Sequence, residues 1–370
     1  MLLSNPRNIA AIMCVLLAAS ISALAQTANP TPTPKIAEED QVVKVNSRLV
    51  VVPVSVTDPT GQAVPGLKAS DFRIAEEGRP QTIDSVGAAD KVPLEIALLF
   101  DVSASTDAMF KFEQETAAKF LQDVLREKDR ATIITVGEKA KLIQARDTAE
   151  KSIESIKAIT PTKEQTAFYD SLRFAADTLR RNSPDGTRRV IVIISDGEDT
   201  NSDGIVKAIW NAELKIPPTV QGQQLREIRV KARDDAKVAE QAKVLKALQN
   251  GDTVFYSINP AGSSIDLNQI SRFGQENMQR FADQTGGTAF LPKFLPIDTK
   301  DELQNNSNAR KNSATLEQIF RQLANELRAQ YLVQYYSESE FPMNKYVKLD
   351  VGVNKPSTRV RARQGYYVKE

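Results

Sequence analysis

Asp101, Ser103 and Ser105 stand two residues apart in Asp101-Val102-Ser103-Ala104-Ser105, directly after the apolar run Leu94 to Phe100. A second acid, Asp196, closes another apolar run in Ile194-Ser195-Asp196-Gly197-Glu198-Asp199, and Thr166 stands in a polar stretch just ahead of a helical pattern. All five side chains offer hard oxygen. Two carboxylates offset the charge of a divalent cation, hydroxyls and waters complete its shell, and Mg²⁺ takes about six oxygens in all. Asp and Ser are also common turn and cap residues, so the spacing alone is a weak signal. What strengthens it is that the two acids each close a strand-like run, because ligands of open parallel sheets bind beyond the carboxyl ends of the strands.

Composition narrows the chemistry further. The chain has 370 residues, with 48 Lys and Arg, 47 Asp and Glu, no His and a single Cys, Cys14. Downstream of position 25 there is neither Cys nor His. That excludes a Ser-His-Asp triad, a thiol nucleophile, an iron–sulfur cluster, a disulfide and the usual zinc ligands. Any metal must therefore be held by oxygen: Mg²⁺, Mn²⁺ or Ca²⁺. The formal net charge of +1 argues against nucleic acid as the main partner.

The elements that must carry these residues read as an α/β domain over 93–330. Leu94 to Phe100 and Val190 to Ile194 are near-continuous apolar runs, as in strands buried on both faces. Ala131 to Val136, Leu142-Ile143, Thr253 to Ile258 and Thr288 to Leu291 read as further strands. Between them, Ala117, Phe120, Leu121, Val124 and Leu125 recur at helical spacing, as do Leu172, Ala175, Ala176 and Leu179. Helices are also expected at about 234–249, Met278 to Gln284 and along Leu316 to Leu327. This alternation predicts a mainly parallel central sheet. The polar stretches 200–232, 260–275 and 293–313 each follow an expected strand, and are expected as long loops on the edge that carries the acids.

At this point the sequence resembles the von Willebrand factor type A (vWA) family. Asp101, Ser103 and Ser105 stand as its D-x-S-x-S motif, Thr166 as its distant Thr and Asp196 as the second Asp, in a strand-end S-D-G. The resemblance implies a Rossmann-like vWA domain over 93–330. It also implies that these five residues form a metal-ion-dependent adhesion site, in which the hydroxyls bind the metal directly and the acids act largely through water. A carboxylate from a partner protein would fill the open position. Glu164-Gln165 stand where relatives often have glycines, and Ala104 where Gly is usual. The flanking segments, including Ala69-Ser70-Asp71-Phe72 and Gln364-Gly365-Tyr366-Tyr367, look like a group of secreted bacterial vWA-related proteins.

Both ends of the chain differ from this core. Arg7, the apolar stretch Ile9 to Ala19 and the small residues Ala23 and Ala25 read as a secretory signal over 1–25, cut after Ala25. Residues 26–41, rich in Pro and Thr, read as an extended tether. Residues 42–92 read as an N-terminal β segment, with Val50, Val52, Val54 and Val56 on one strand face, and 331–370 as a C-terminal β segment. The two are expected to complete one small β domain around the α/β insertion. No later run approaches a membrane span, so the mature protein is expected exported: periplasmic, at the cell surface or extracellular.

Other singled-out residues have blander readings. Glu198 and Asp199 are expected as solvated loop acids, and Arg226, Arg229, Lys231 and Arg233 as a solvated face. Trp210 is expected packed. The expectation for the whole is a non-enzymatic protein-binding or adhesion module that captures an Asp or Glu of a partner through Mg²⁺, Mn²⁺ or Ca²⁺. Two alternatives stay open: a scaffold with a degenerate metal site, and a Mg²⁺-dependent hydrolase. The second lacks a His base, a phosphate-cradling Gly-rich loop and an acid two residues after Asp101, where Ser103 stands.

Overall fold

The structure, a computed structural model, describes residues 47–369 apart from 104–106, 163, 218, 260–268 and 298, and the side chains of 107–109 and 269–271 are likewise not described. The expected signal segment 1–25, the tether 26–41 and Ser105 thus lie outside the described residues.

The chain enters through strands β1 (Arg48–Thr57), β2 (Phe72–Glu76), β3 (Arg79–Gln81) and β4 (Ile83–Ala88). In β1 the even positions Val50, Val52, Val54 and Val56 are buried, while Leu49 and Val51 are exposed. Period-two alternation of this kind is what a strand with one covered face requires.

The central sheet follows. β5 (Leu94–Asp101) leads into α1 (Asp107–Val124), β6 (Arg130–Val136), β7 (Lys141–Asp147) and α2 (Ala149–Lys157). Then come α3 (Phe168–Asn182), β8 (Arg188–Ile194), α4 (Asp203–Glu213), α5 (Gly222–Asn250) and β9 (Thr253–Ile258). α6 (Gln269–Thr285), β10 (Ala289–Phe290) and α7 (Glu302–Arg328) complete it. The strand order is β10-β9-β8-β5-β6-β7, parallel except for β7. β5 explains its own sequence: Leu94, Ile96, Leu98 and Phe100 join a core with α1 and α7, while Ala97 and Leu99 join a second core with α3, α5 and α6. A strand that faces two helical layers has no polar face to spare. From β5 the chain moves first to β6 on one side, then crosses to β8 on the other. The strand order reverses at β5, which opens a crevice between the carboxyl ends of β5 and β8.

The tail returns as β11 (Tyr331–Ser337), β12 (Tyr346–Val353), β13 (Arg359–Ala362) and β14 (Gly365–Tyr367). It pairs with the entry strands in two antiparallel sheets, β13-β1-β11-β4 and β14-β12-β2-β3. Val50, Val52, Val54, Phe72, Ile74, Val333, Tyr335, Val347 and Leu349 form their shared core. Inside it Glu76, 1% exposed, accepts hydrogen bonds from Tyr335 Oη (3.0 Å), Ser337 Oγ (2.7 Å) and Tyr366 Oη (2.5 Å). One acid from the entry strands thus satisfies three hydroxyls of the tail.

Two of the stretches expected as loops are largely helical. Residues 200–232 contain α4 and the start of α5, and 293–313 contain the start of α7. In α7 the buried positions near its start are polar. Asn308 Nδ2 donates to the Pro296 carbonyl (2.7 Å), and Asn312 donates to and accepts from the backbone of Leu295 at 2.8 Å each way. Hydrophobic periodicity cannot register a helix pinned by amides. The first half of α5 is instead built from good helix formers with few apolar positions. α2 escaped because only Ser152 and Ile156 are buried on it. Among the described residues no helix is long and apolar enough to cross a membrane.

Glu76→Ala would strand three hydroxyls and leave a void, so a loss of about 2–4 kcal/mol in urea unfolding is expected. A loss under half a kcal/mol would show that this acid does not tie the tail to the entry strands.

Candidate metal centre

The crevice at the strand-order reversal is lined by the residues singled out above. The β5/β8 register pairs Phe100 with Ile194, so Asp101 and Ser195 emerge side by side. Ser195 Oγ donates to Asp101 Oδ2 at 2.7 Å. On the other oxygen, Ser103 donates to Oδ1 through both its amide (3.1 Å) and its hydroxyl (2.6 Å). Both oxygens of Asp101 are thereby held in place, with its surface partly open. Ser195, which composition and spacing left unremarked, is the strut between the two strand ends.

Asp196 follows on a tight turn. Its Oδ1 accepts from the Glu198 amide at 2.9 Å, and the Gly197 amide donates to Ser195 Oγ at 3.0 Å. Gly197 has φ +78°, left-handed, and a Cβ there would sit 2.8 Å from the Gly274 carbonyl oxygen on α6. A Cβ on Gly274 would in turn lie 2.7 Å from the Gly197 carbonyl carbon and oxygen. Two glycines let α6 pack directly on the turn that aims Asp196.

Thr166 is buried and reaches the same edge through its backbone. Its amide donates to Thr200 Oγ1 (3.0 Å), and its carbonyl accepts from the amides of Thr200 (2.9 Å) and Asn201 (3.0 Å). The loop is also tied to the β5 and β6 ends, since Thr162 N donates to the Val102 carbonyl (2.6 Å) and Ala167 N to the Gly137 carbonyl (2.8 Å). Glu164 and Gln165, which replace glycines, are exposed, and the Glu164 carboxylate reaches over Gly137, where a Cβ would meet its Oε2 at 3.0 Å. The structure thus brings Asp101, Ser103, Thr166 and Asp196 to one edge, and Ser105 falls outside the described residues.

Asp199 departs from expectation. It is 2% exposed rather than solvated. One of its oxygens accepts from Tyr169 N (2.9 Å) at the start of α3 and from Ser202 Oγ (2.5 Å), and the other from the amides of Asn201 (3.2 Å) and Ser202 (2.9 Å). It organises the loop beneath Thr166, because a carboxylate can satisfy the unpaired amides at helix starts. Trp210 also departs: it is 59% exposed on α4. The basic cluster is as expected a solvated face, with Arg229 on Glu213 and Lys231 on Asp235 in exposed pairs.

Sequence pattern missed Glu113. It lies on α1 and is 2% exposed, and its Oε1 is buried without a hydrogen-bond partner. Burial, and then the charge of Asp101, push its carboxyl up to about 8. Burial likewise pushes Asp196 up to about 6, opposed by the amide hydrogen bond from Glu198. Asp101 is raised by burial, with the bonds from Ser103 and Ser195 pulling it back. Among the described residues no Lys or Arg forms an ion pair with Asp101, Glu113 or Asp196. Acids crowded in low dielectric without a counter-charge fit a cation, and the donor set, all oxygen, fits a hard one. Among the described residues no three acids gather tightly enough to bind a metal by themselves. Hydroxyls and water must then complete any shell, as the D-x-S-x-S spacing provides. A cavity of about 350 Å³ lies away from this edge, by the strand starts, lined in part by Arg48, Arg188, Asp252 and Tyr366.

The fold and this edge define an open α/β domain with a strand-end acid site. Residues 96–198, a segment that runs from β5 to the turn after Asp196, match the family described as von Willebrand factor type A domain. A nucleotide-binding protein of Campylobacter curvus (strain 525.92) is 29% identical over 151 residues, which cover 40% of this chain and 89% of that protein. Among solved structures, an aerotolerance-related membrane protein from Bacteroides fragilis NCTC 9343 aligns at 14% identity and TM-score 0.33, covering 62% of this chain and 98% of that one. The vWF domain of the type V pili tip protein Mfa5 from Porphyromonas gingivalis aligns at 11% identity and TM-score 0.38, covering 63% and 95%.

Two outcomes follow from this geometry. Gly274→Ala gains up to about 1 kcal/mol of helix propensity, but drives a Cβ into backbone that cannot yield, at about 1–3 kcal/mol. A net loss in urea unfolding is expected, and a gain would contradict the close approach. Secondly, Glu113 and Asp196 hold protons in the folded chain that the unfolded chain has released, so their contribution to stability falls as pH rises from about 4.5 to 8. The melting midpoint of metal-free protein should fall over pH 5–8 more steeply than that of Asp196→Asn/Glu113→Gln. Equal slopes would contradict the burial-driven shifts.

Proposed function

We propose that this protein is an exported protein-interaction module that captures an acidic side chain of a partner through a divalent cation. The cation, Mg²⁺ or alternatively Mn²⁺ or Ca²⁺, would be held by Ser103, Ser105 and Thr166, with Asp101 and Asp196 acting through water. One observation carries this reading: two partly open carboxylates close the ends of β5 and β8, Asp101 held by serine hydroxyls and Asp196 by the Glu198 amide, and among the described residues no Lys or Arg pairs with either. A bound divalent ion would supply positive charge and a vacant oxygen site, and a charge-assisted contact to a carboxylate is stronger than a neutral one.

The chain's own residues do the positioning. Ser195 fixes the separation of the two strand ends, Asp199 braces the Thr166 loop, and the Gly197–Gly274 contact sets where Asp196 points. The reading assigns no catalytic residue. It places the module in the periplasm, at the cell surface or outside the cell, where a fold without disulfides must stand on packing alone.

A pull-down with the full mature chain from the native envelope and medium tests it, run in parallel with Mg²⁺ and with EDTA. Capture in Mg²⁺, its loss in EDTA, and its loss in Asp101→Ala are expected, with a drop of at least tenfold in recovered partner. Equal capture in EDTA and by Asp101→Ala would instead favour the scaffold with a degenerate site, whose partners bind elsewhere on the chain.

A further inference from the structure

We infer that Glu113 is a third carboxyl turned toward the cation site, a positioning residue that sets how strongly the site demands a divalent ion. The inference rests on the metal-site reading above. Glu113 shares the inward stripe of α1 with Phe110, Ala117 and Leu121. Phe110 packs its ring against Phe100, at a centroid distance of 6.3 Å, and Phe100 immediately precedes Asp101. Side chains of a helix lean toward its N-terminus, so Glu113, one turn further along, leans back toward the strand end that carries Asp101. The two carboxyls are close enough for the charge of Asp101 to raise that of Glu113.

A core position on this stripe ordinarily takes an apolar residue. Here it takes a carboxyl, 2% exposed, whose Oε1 finds no hydrogen-bond partner. A buried polar group in that condition is expensive and calls for a partner. Among the described residues its neighbours do not supply one. Gln114 is committed to the carbonyls of Ile156 (2.6 Å) and Ile159 (2.8 Å). On the packed helices and on α1 itself the bases face outward: Lys111 is exposed, Lys119 pairs with Glu317, and Lys151, Lys157, Lys311, Arg321 and Arg328 are exposed. The acids of α2, Glu150 and Glu154, are exposed too. A divalent ion beside Asp101 is the positive charge that the site's chemistry would bring within reach. With the ion bound, Glu113 adds negative charge to the second layer around it; without the ion, it strains the core. Groups in that layer commonly change metal affinity about 10–100-fold.

This gives the two states opposite responses to one substitution. The experiment compares the mature wild type with Glu113→Gln at pH 7.5, by thermal melting without metal and by calorimetric titration with Mn²⁺ alone. Glu113→Gln is expected to melt higher without metal, by about 2 °C or more, and to bind Mn²⁺ at least tenfold more weakly. Glu113→Met, apolar and of similar length, repeats the comparison should the amide variant fail to fold. A fall in both melting point and affinity marks a merely structural residue and overturns the inference, as does an unchanged affinity. Wild type that binds no Mn²⁺ removes the metal-site reading as well, so the two failures are told apart.

Discussion

The acid edge depends on the parallel pairing of β5 with β8. A parallel sheet sets neighbouring strand ends level, and here the register Phe100 to Ile194 leaves Asp101 and Ser195 facing each other as the chain leaves the sheet. Asp196 follows Ser195, near enough for the charge of Asp101 to help raise its carboxyl; like charges in a partly desolvated crevice repel, the more so as the local dielectric falls. Among the described residues hydroxyl donors, not arginine or lysine, meet this acid: Ser103 and Ser195 each hold one oxygen of Asp101. Donors of that kind orient a carboxylate without neutralising it. The crevice therefore keeps its demand for positive charge, which a mobile cation would meet where a fixed side chain would close it.

The surroundings serve the same arrangement at longer range. α6 lies on the Asp196 turn through Gly274, and at its far end the Gln284 carbonyl accepts a hydrogen bond from the Gln364 amide (3.1 Å). One helix thus touches both the acid edge and the tail strands. The tail in turn is bound to the entry strands through Glu76 and the shared apolar core. The α/β layers sit between the two halves of this β structure along the chain, and the arrangement needs no disulfide, because each half supplies the other's buried partners.

Much of this was legible in the sequence where apolar pattern decides structure. β5 and β8 read as doubly buried runs because helices do cover both faces, and β1 reads as alternating because Val50, Val52, Val54 and Val56 face the shared core while Leu49 and Val51 are exposed. The acid edge was legible because strand ends are sharply marked by the change from Ile or Phe to Asp and Ser. The rest was hidden for physical reasons. The start of α7 is buried through Asn308 and Asn312, whose amides replace apolar contacts, so the stretch resembles a loop. Asp199 looks like any loop acid until two helix starts are seen to converge on it. Gly274 has meaning only beside Gly197, 77 positions away in the chain. Glu113 has meaning only because it occupies a place where the helical period calls for an apolar side chain, and an isolated aromatic such as Trp210, exposed on α4, says nothing in sequence of what covers it.

The central claim is that this edge holds a metal ion. Anomalous diffraction from crystals of the mature protein soaked in Mn²⁺ addresses it most directly. The account predicts one strong anomalous peak within about 5 Å of Asp101, Ser103 and Asp196, the reach of direct and water-bridged coordination. A map with no peak there, from crystals in which the crevice is open to solvent, would contradict it.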